Sequence, residues 1–376
     1  MNEPDWSARA IRWGILGTGA IARAFALDLR LVPGAKVCAI GSRRLDRARE
    51  FAAEFVGARA HDTVVGLAGD QEVDVVYVAT PHTRHRDDCL ACLRAGRAVL
   101  CEKPFTLSAI QASAVIDQAR ASGRFCMEAM WMRFHPLIQQ VNSLVRSGAI
   151  GEVRLLVAEF GYPAAFSPEN RFYDLRAGGG ALLDRGVYPL SLAYFMLGAP
   201  ADVIGRASIG STGVDEQQSA LLTYPGGALA VLTASLRSRL RNEAVIVGTR
   251  GQIRIREPFF APRRVSVSYF EEPVGTPAPS HSTTGWKARI KQNPLLRRAY
   301  DTLGIPLLNL VRRGGKSLVH YGPGEGYHFE AAEVVRCLRA GLLESPIMPL
   351  DETKRILETA DALRRSWGLA YPGDAD

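Results

Sequence analysis

The sequence has no disulfide framework. Its six cysteines, Cys38, Cys89, Cys92, Cys101, Cys126 and Cys337, are scattered through 376 residues and sit mostly inside apolar runs. In a chain of this length that pattern suits reduced core residues. Cys89 and Cys92 form a CxxC, but no second pair and no histidine cluster at ligand spacing accompanies it, so no metal site is read. No stretch approaches the roughly eighteen apolar residues that a membrane-crossing helix needs. The first ten residues carry Glu3, Asp5 and Arg9 and no apolar core, unlike a secretory signal. The expectation is a cytoplasmic protein. Nucleic acid is not expected as a partner, because neither a base-reading motif nor an aromatic stacking platform is present.

What is present is ordinary for a soluble enzyme, 47% hydrophobic and 22% charged. The length exceeds what one hydrophobic core usually covers, which predicts two domains. We expect a dinucleotide-binding domain over residues 1–130 and an α+β domain for substrate and oligomerisation over 131–376. The net charge of +8 matters mainly through its location.

Ile11 to Leu16 reads as a buried strand, and Gly17-Thr18-Gly19-Ala20-Ile21-Ala22 follows, with helical periodicity through Leu31. This is G-x-G-x-x-A between a strand and a helix. The first glycine permits a tight turn, the second lets the backbone approach a pyrophosphate, and the third small residue lets helix and strand pack closely. The anion sits on the free amides of the helix N-terminus. The second strand, Lys36 to Ile40, ends in Gly41-Ser42-Arg43-Arg44, with Arg47 one turn on. About twenty residues past the glycines an NAD site places a carboxylate for the ribose hydroxyls, and here none is found. A serine hydroxyl and guanidinium groups can instead hold a 2′-phosphate through charge-assisted hydrogen bonds. Ser42, Arg43 and Arg47 therefore favour NADP, with NAD still possible, unless the arginines are only a solvated helix face beside Asp46 and Glu50.

Asp74 to Ala79 is the next central strand, capped by Thr80-Pro81-His82-Thr83-Arg84-His85. His82 and His85 either reach the nicotinamide ribose or substrate, or cap the helix that follows. Ala98 to Cys101 is another short buried strand, and Glu102-Lys103-Pro104 arrives at its carboxyl end. Proline pushes the residue before it away from helical geometry, so Lys103 lies extended at the rim of the sheet, where ligands of open parallel sheets sit. It is either an acid, base or fixed charge there, or half of a surface Glu–Lys pair. Strands and helices alternating at this spacing predict a doubly wound parallel sheet.

From Glu152 the texture changes. Segments 152–162, 201–209, 217–224, 228–236 and 243–247 read as strands with mixed alternation, and Pro225-Gly226-Gly227 marks a hairpin. A large, mostly antiparallel open sheet follows, one face covered and the other available to a second subunit. Gly178-Gly179-Gly180 precedes a helix on which Asp184 and Tyr188 lie one turn apart. They are either a pair that meets substrate together or a buried structural pair. Residues 285–316 hold most of the net charge beside leucine-rich surface. That segment is either a lid or oligomer contact with a solvated basic face, or a peripheral contact for anionic membrane. Two terminal helices, from Tyr327 and from Asp351, are expected to pack back on the first domain.

Together, the glycine motif, Ala79-Thr80-Pro81 with His85, Glu102-Lys103-Pro104 and Asp184-Arg185-Gly186-Val187-Tyr188 resemble the glucose–fructose oxidoreductase and inositol dehydrogenase family, Gfo/Idh/MocA, over nearly the whole chain except roughly 280–320. Cys101-Glu102-Lys103-Pro104, Met127 to Phe134 and Ala158-Glu159-Phe160-Gly161 are most similar to its dimeric dihydrodiol dehydrogenases and NADP-dependent D-xylose dehydrogenases. The resemblance implies a nicotinamide enzyme acting on a hydroxyl of a sugar, polyol or cyclic diol, assembled as a homodimer or homotetramer through the open sheet. It implies Lys103 and Tyr188 at the hydride-transfer centre, with the ammonium lowering the pKa of the phenol, and Asp184 holding a substrate hydroxyl. Trp131, Phe160 and Arg133 would contact substrate, and Glu102 joins Thr80, Pro81, His82 and His85 on the cofactor side. Two features depart from the family pattern: Arg185 in place of an aliphatic residue, and the basic insertion. Both point toward an anionic or lipid-linked polyol. The same fold also serves non-catalytic nucleotide-binding regulators and redox-assisted glycosidases.

Overall fold

The computed structural model describes residues 9–270 and 316–374, so the basic stretch at 285–316 lies, apart from Lys316, outside the described residues. Chain order in the first half is β1 (Ile11–Leu16), α1 (Ala20–Asp28), β2 (Ala35–Gly41), α2 (Leu45–Ala52), β3 (Arg59–His61), α3 (Val64–Gly69), β4 (Val75–Val78), α4 (His85–Arg94), β5 (Ala98–Glu102), α5 (Ala109–Ser122) and β6 (Cys126–Ala129). All six strands are parallel, in the order β3-β2-β1-β4-β5-β6. Residues of β4 and β5 are buried throughout, as strands covered by helices on both faces must be. The strand order reverses between β1 and β4, and a crevice opens there at the carboxyl ends of the strands.

Local signals set the helix ends. The Ser108 hydroxyl accepts from the Gln111 amide to start α5, and Gly123 in the left-handed region stops it. The short elements β3 and α3 escape the hydrophobic pattern, although the Thr63 hydroxyl caps α3 by accepting from the Gly66 amide.

The second half runs α6 (Pro136–Arg146), β7 (Val153–Gly161), α7 (Val187–Leu197), β8 (Asp202–Ile209), β9 (Asp215–Thr223), β10 (Leu229–Ser235), β11 (Ala244–Gly248), β12 (Gly251–Ile255), β13 (Arg264–Tyr269), β14 (Lys316–Val319), α8 (Tyr327–Arg339) and α9 (Leu350–Ser366). The eight-stranded sheet has the order β14-β13-β12-β11-β7-β10-β9-β8, antiparallel except between β7 and β10. β12, β13 and β14 extend it beyond the strands legible in the sequence. One face is covered by α7, which is buried along almost its whole length. On the other face Ile204, Leu221, Val231, Val157 and Val245 form one row in register across five strands. Ile204 and Val231 in that row are exposed, as is Leu229 in the row beside it.

The C-terminal helices contact elements of the first half of the chain. On α9, Asp361 accepts from the Ala109 amide at 2.9 Å, and Arg364 donates to the Leu107 carbonyl at 3.1 Å. At the head of α8, the Asp28 carboxylate accepts from the amides of Glu325, Gly326 and Tyr327 at 2.9–3.0 Å. A helix N-terminus leaves such amides without partners of its own, so α1 supplies the cap for α8. Among the described residues no helix is long and apolar enough to cross a membrane. All six cysteines are buried and free.

Asp28→Ala strands these three amides, so we expect it to destabilise the fold by about 1–3 kcal/mol. Urea unfolding followed by circular dichroism reads this directly; an unchanged midpoint would show that water replaces the carboxylate at no cost.

Candidate active site

The crevice at the strand ends is a cleft of about 1040 Å³. One wall is the glycine turn, Gly17 to Ile21, with Ser42 and Arg43 at the end of β2. Thr80, Pro81, His82 and His85 follow β4, and Glu102 and Lys103 end β5. Arg171, Ala177, Asp184 and Tyr188 close it from the second half of the chain. Arg47, exposed on α2, does not line the cleft.

The glycine turn fits a dinucleotide. A Cβ on Gly17 would lie 2.5 Å from the Ala79 carbonyl oxygen, and the backbone there has φ +122°, so only glycine lets β1 and β4 come this close. A Cβ on Gly19 would meet nothing, which leaves its backbone open to the cleft. No side chain caps α1 and no acid occupies its first turn, the condition under which its amides can receive a phosphate. The buried Thr80 hydroxyl has no partner among the described residues, and a bound ligand would supply one.

Lys103, Asp184 and Tyr188 converge at the inner end. The Lys103 ammonium donates to the backbone carbonyl of Asp184 at 2.8 Å, stands 3.8 Å from its Oδ1, and lies 4.9 Å from the centre of the Tyr188 ring. A single wider π-type turn, Leu182–Gly186, carries Asp184 and runs into α7 with Tyr188 at its second residue. Such turns often mark functional sites. Burial pushes Asp184 toward the neutral acid, but Lys103, Arg171, His82 and Arg185 outweigh it and hold the carboxyl below its ordinary range. Burial and the charge of Glu102 push the Tyr188 phenol well above its usual value. The expectation that Lys103 lowers that pKa is therefore corrected: the ammonium faces the ring and a carbonyl, and desolvation dominates.

Several expected ligand contacts are spent on the protein itself. His85 is fully enclosed, with Nδ1 2.8 Å from the Pro104 carbonyl and Nε2 2.9 Å from the Thr80 carbonyl. It lies between the two strand-end turns, and because burial lowers its pKa and favours the neutral imidazole, its single N–H donates to one of these carbonyls. Glu102 accepts from the Tyr77 hydroxyl and, at 3.1 Å, from the Lys103 amide. It fixes the turn that carries Lys103. His82 faces the cleft with Nδ1 3.3 Å from the Gly178 carbonyl, joining both halves of the chain. Burial, with the nearby His85 and Lys103, takes its pKa down to about 3, so it is a neutral imidazole.

Arg133 is not at the cleft. Its guanidinium, fully buried, donates to the Ser191 hydroxyl at 2.7 Å and the Ser191 carbonyl at 2.9 Å and pairs with Glu352. Arg185 is likewise turned inward, donating to the Tyr162 and Ser235 carbonyls with Asp184 Oδ2 at 3.5 Å. The anionic substrate inferred from that arginine loses its support. Trp131 and Phe160 stand beside Tyr188 rather than on the cleft wall. The Trp131 indole donates to the Tyr188 oxygen at 2.9 Å, and the Phe160 ring meets Tyr188 edge-on at 5.2 Å.

Three residues at this end were missed in the sequence. Phe260, from the loop between β12 and β13, stacks on Phe160 at 4.6 Å and sits 5.5 Å from Tyr188. Tyr327 packs 4.8 Å from Trp131. Arg171 reaches Asp184 Oδ1 at 3.4 Å while more than half exposed. The adjacent Phe259-Phe260 pair, bracketed by Pro258 and Pro262 in a loop, was the available signal; Arg171 offered none.

Residues 11–130 match the oxidoreductase family with an NAD-binding Rossmann fold, and residues 138–254 match the GFO/IDH/MocA C-terminal domain. The trans-1,2-dihydrobenzene-1,2-diol dehydrogenase of Mus musculus is 34% identical over 369 residues, covering 97% of this chain and 99% of its own. The Homo sapiens protein of that name is 32% identical over 371 residues with the same coverage. Among solved structures, KijD10, a 3-ketoreductase from Actinomadura kijaniata in complex with NADP and TDP-benzene, superposes with a TM-score of 0.75 at 26% identity, covering 95% of this chain and 98% of that one. A levoglucosan dehydrogenase has a TM-score of 0.77 at 19% identity over 96% of this chain and 98% of its own, a likeness of fold alone.

Proposed function

The chain belongs to the GFO/IDH/MocA oxidoreductase family, and from that membership we propose that it is an NADP-dependent dehydrogenase acting reversibly on a secondary hydroxyl of a cyclic vicinal diol or sugar. The reading rests on one observation, the convergence of Lys103, Asp184 and Tyr188 at the inner end of a cleft built for a dinucleotide. The diol or sugar class is carried over from the mouse and human relatives, named for a dihydrobenzene diol.

Bound in the cleft, the nicotinamide supplies or accepts the hydride, and the protein manages the oxygen and its proton. In reduction the Tyr188 phenol donates its proton to the carbonyl oxygen and is left as the phenolate; in oxidation the phenolate, its own proton first lost to solvent through the cleft, receives the proton that the hydroxyl releases. A phenol whose pKa burial has raised is suited to hold a proton until the substrate oxygen needs it. Lys103, fixed on the Asp184 carbonyl, places a positive charge where negative charge develops on that oxygen. The ionised Asp184 carboxylate can accept from the neighbouring hydroxyl of a diol, which gives the preference for vicinal pairs a structural basis.

For the cofactor, Ser42 and Arg43 line the cleft at the end of β2, where they would hold the adenine ribose, and the lack of a carboxylate there would favour the 2′-phosphate of NADP. For assembly, the in-register apolar row from Ile204 to Val245 suits a second copy of the chain, which would cover it with the identical face.

Three expectations follow from the reading. Turnover followed at 340 nm with a panel of trans-dihydrodiols and sugars should fall about 10²–10⁴-fold in Tyr188→Phe and in Lys103→Ala while NADP binding persists; full activity in both variants would remove the assignment. Arg43→Ala should weaken NADP about tenfold and leave NAD unchanged, measured by titration calorimetry; equal losses for both cofactors would refute a phosphate contact. Light scattering should find a dimer or larger assembly for the wild type and monomers for Val231→Glu, and a monomeric wild type would dismiss the sheet-to-sheet contact.

A further inference from the structure

Trp131 is almost fully buried, and its indole N–H is directed at the Tyr188 oxygen at 2.9 Å. An indole nitrogen donates and never accepts, so the direction of this bond is fixed whatever the protonation of the phenol. The phenol hydrogen prefers the plane of its ring, on one side of the oxygen or the other. With one side occupied by the indole, the remaining position is the other, and Tyr188 makes no other hydrogen bond among the described residues. Tyr188 lines the cleft. The ammonium of Lys103 does not compete for the oxygen, since it lies over the ring and donates to the Asp184 carbonyl.

We propose that Trp131 is a positioning residue, whose N–H occupies one side of the Tyr188 oxygen, turns the Tyr188 proton toward the substrate oxygen and strengthens its hold as the phenol gives that proton up. The inference rests on the role given to Tyr188 above. A neutral hydrogen bond becomes charge-assisted when its acceptor turns into a phenolate, so the indole stabilises the deprotonated form more than the protonated one. The groups that act against it face Tyr188 from every side: Glu102 at the end of β5, Asp184 on the turn before α7, and Tyr327 at the head of α8 each disfavour the anion, in addition to burial. Lys103 lies over the ring face and not at the oxygen. Among the described residues, Trp131 is thus the one neutral donor that reaches the oxygen itself.

The rest of the indole supports the same position. Its rings pack 4.8 Å from Tyr327 and 5.8 Å from Phe260, and a Cβ on Gly326 would come within 3.2 Å of it. The Asp28 clasp holds Gly326 through its amide. The indole therefore has little freedom to leave the phenol.

Two replacements separate the donor from the shape. Trp131→Phe removes both; introducing 3-benzothienylalanine at position 131 keeps the bicyclic shape and removes only the N–H. Both should lower kcat about 10- to 100-fold with little change in KM, and raise the alkaline pKa of the kcat profile by about one unit. In the cofactor-free protein, the indole resonance of Trp131 in a ¹H–¹⁵N spectrum should move upfield in Tyr188→Phe, a readout that needs no turnover. Wild-type kcat and pH profile in the benzothienylalanine protein would overturn the proposal, as would an indole resonance unmoved by Tyr188→Phe. A wild type with no nicotinamide-linked turnover would instead refute the dehydrogenase reading and, with it, the catalytic consequence drawn for Trp131.

Discussion

The bond between the Lys103 ammonium and the Asp184 carbonyl, 2.8 Å long, joins the two halves of the molecule at the inner end of the cleft. Lys103 ends the fifth strand of the parallel sheet; Asp184 sits on the turn that begins the helix under the antiparallel sheet. A largely enclosed ammonium is costly without acceptors, and Asp184 supplies them from the second half. The turn around Lys103 is held from below by Glu102, which is itself fastened to Tyr77. The turn around Asp184 is braced by Arg185 on two carbonyls of the second half. A cation presented to a substrate thus depends on two separately anchored turns, and preorganisation of this kind is what makes a fixed charge effective in catalysis.

This division explains what the sequence could disclose. The parallel sheet was legible because its strands are continuous apolar runs separated by helical periodicity, and the glycine turn carries its reason in its spacing. The eight-stranded sheet was legible in part. Segments such as 228–236 alternate clearly, whereas Gly251–Ile255 and Lys316–Val319 are too short and too polar to stand out from loops. Pairing with neighbours distant in sequence makes them strands, and that information is not local.

The site divides in the same way. Lys103, Asp184 and Tyr188 stood out in the sequence, Lys103 by the proline after it and the other two by their one-turn spacing behind three glycines. The direction in which each neighbouring side chain spends its hydrogen bonds was not. Arg133 and Trp131 are separated by one residue and looked alike as candidates, yet the guanidinium is locked between Ser191 and Glu352 while the indole reaches the phenol. His85 looked like a ligand contact, yet it is enclosed between two carbonyls at the ends of adjacent strands, one of which takes its N–H. Sequence places a side chain near a site; packing decides what it touches.

Charge around the phenol follows from the same enclosure. Glu330 on α8 is fully buried, neither of its carboxyl oxygens has a partner among the described residues, and burial together with Glu102 pushes its pKa far up. It is therefore a neutral acid, and Glu102 does not face a second anion. His82 is neutral as well, for want of solvent. With those two silent, the charges near Tyr188 reduce to Lys103, Asp184 with the arginines that attend it, and Glu102, itself drawn toward the neutral acid by burial. The phenol then responds chiefly to what touches it directly: the indole at its oxygen and whatever oxygen the cleft brings to its proton. A site so insulated from distant charge can hold a proton on tyrosine at neutral pH without a dedicated base. That is the chemical condition for passing one proton to or from a substrate oxygen while a hydride moves on the other side of the same bond.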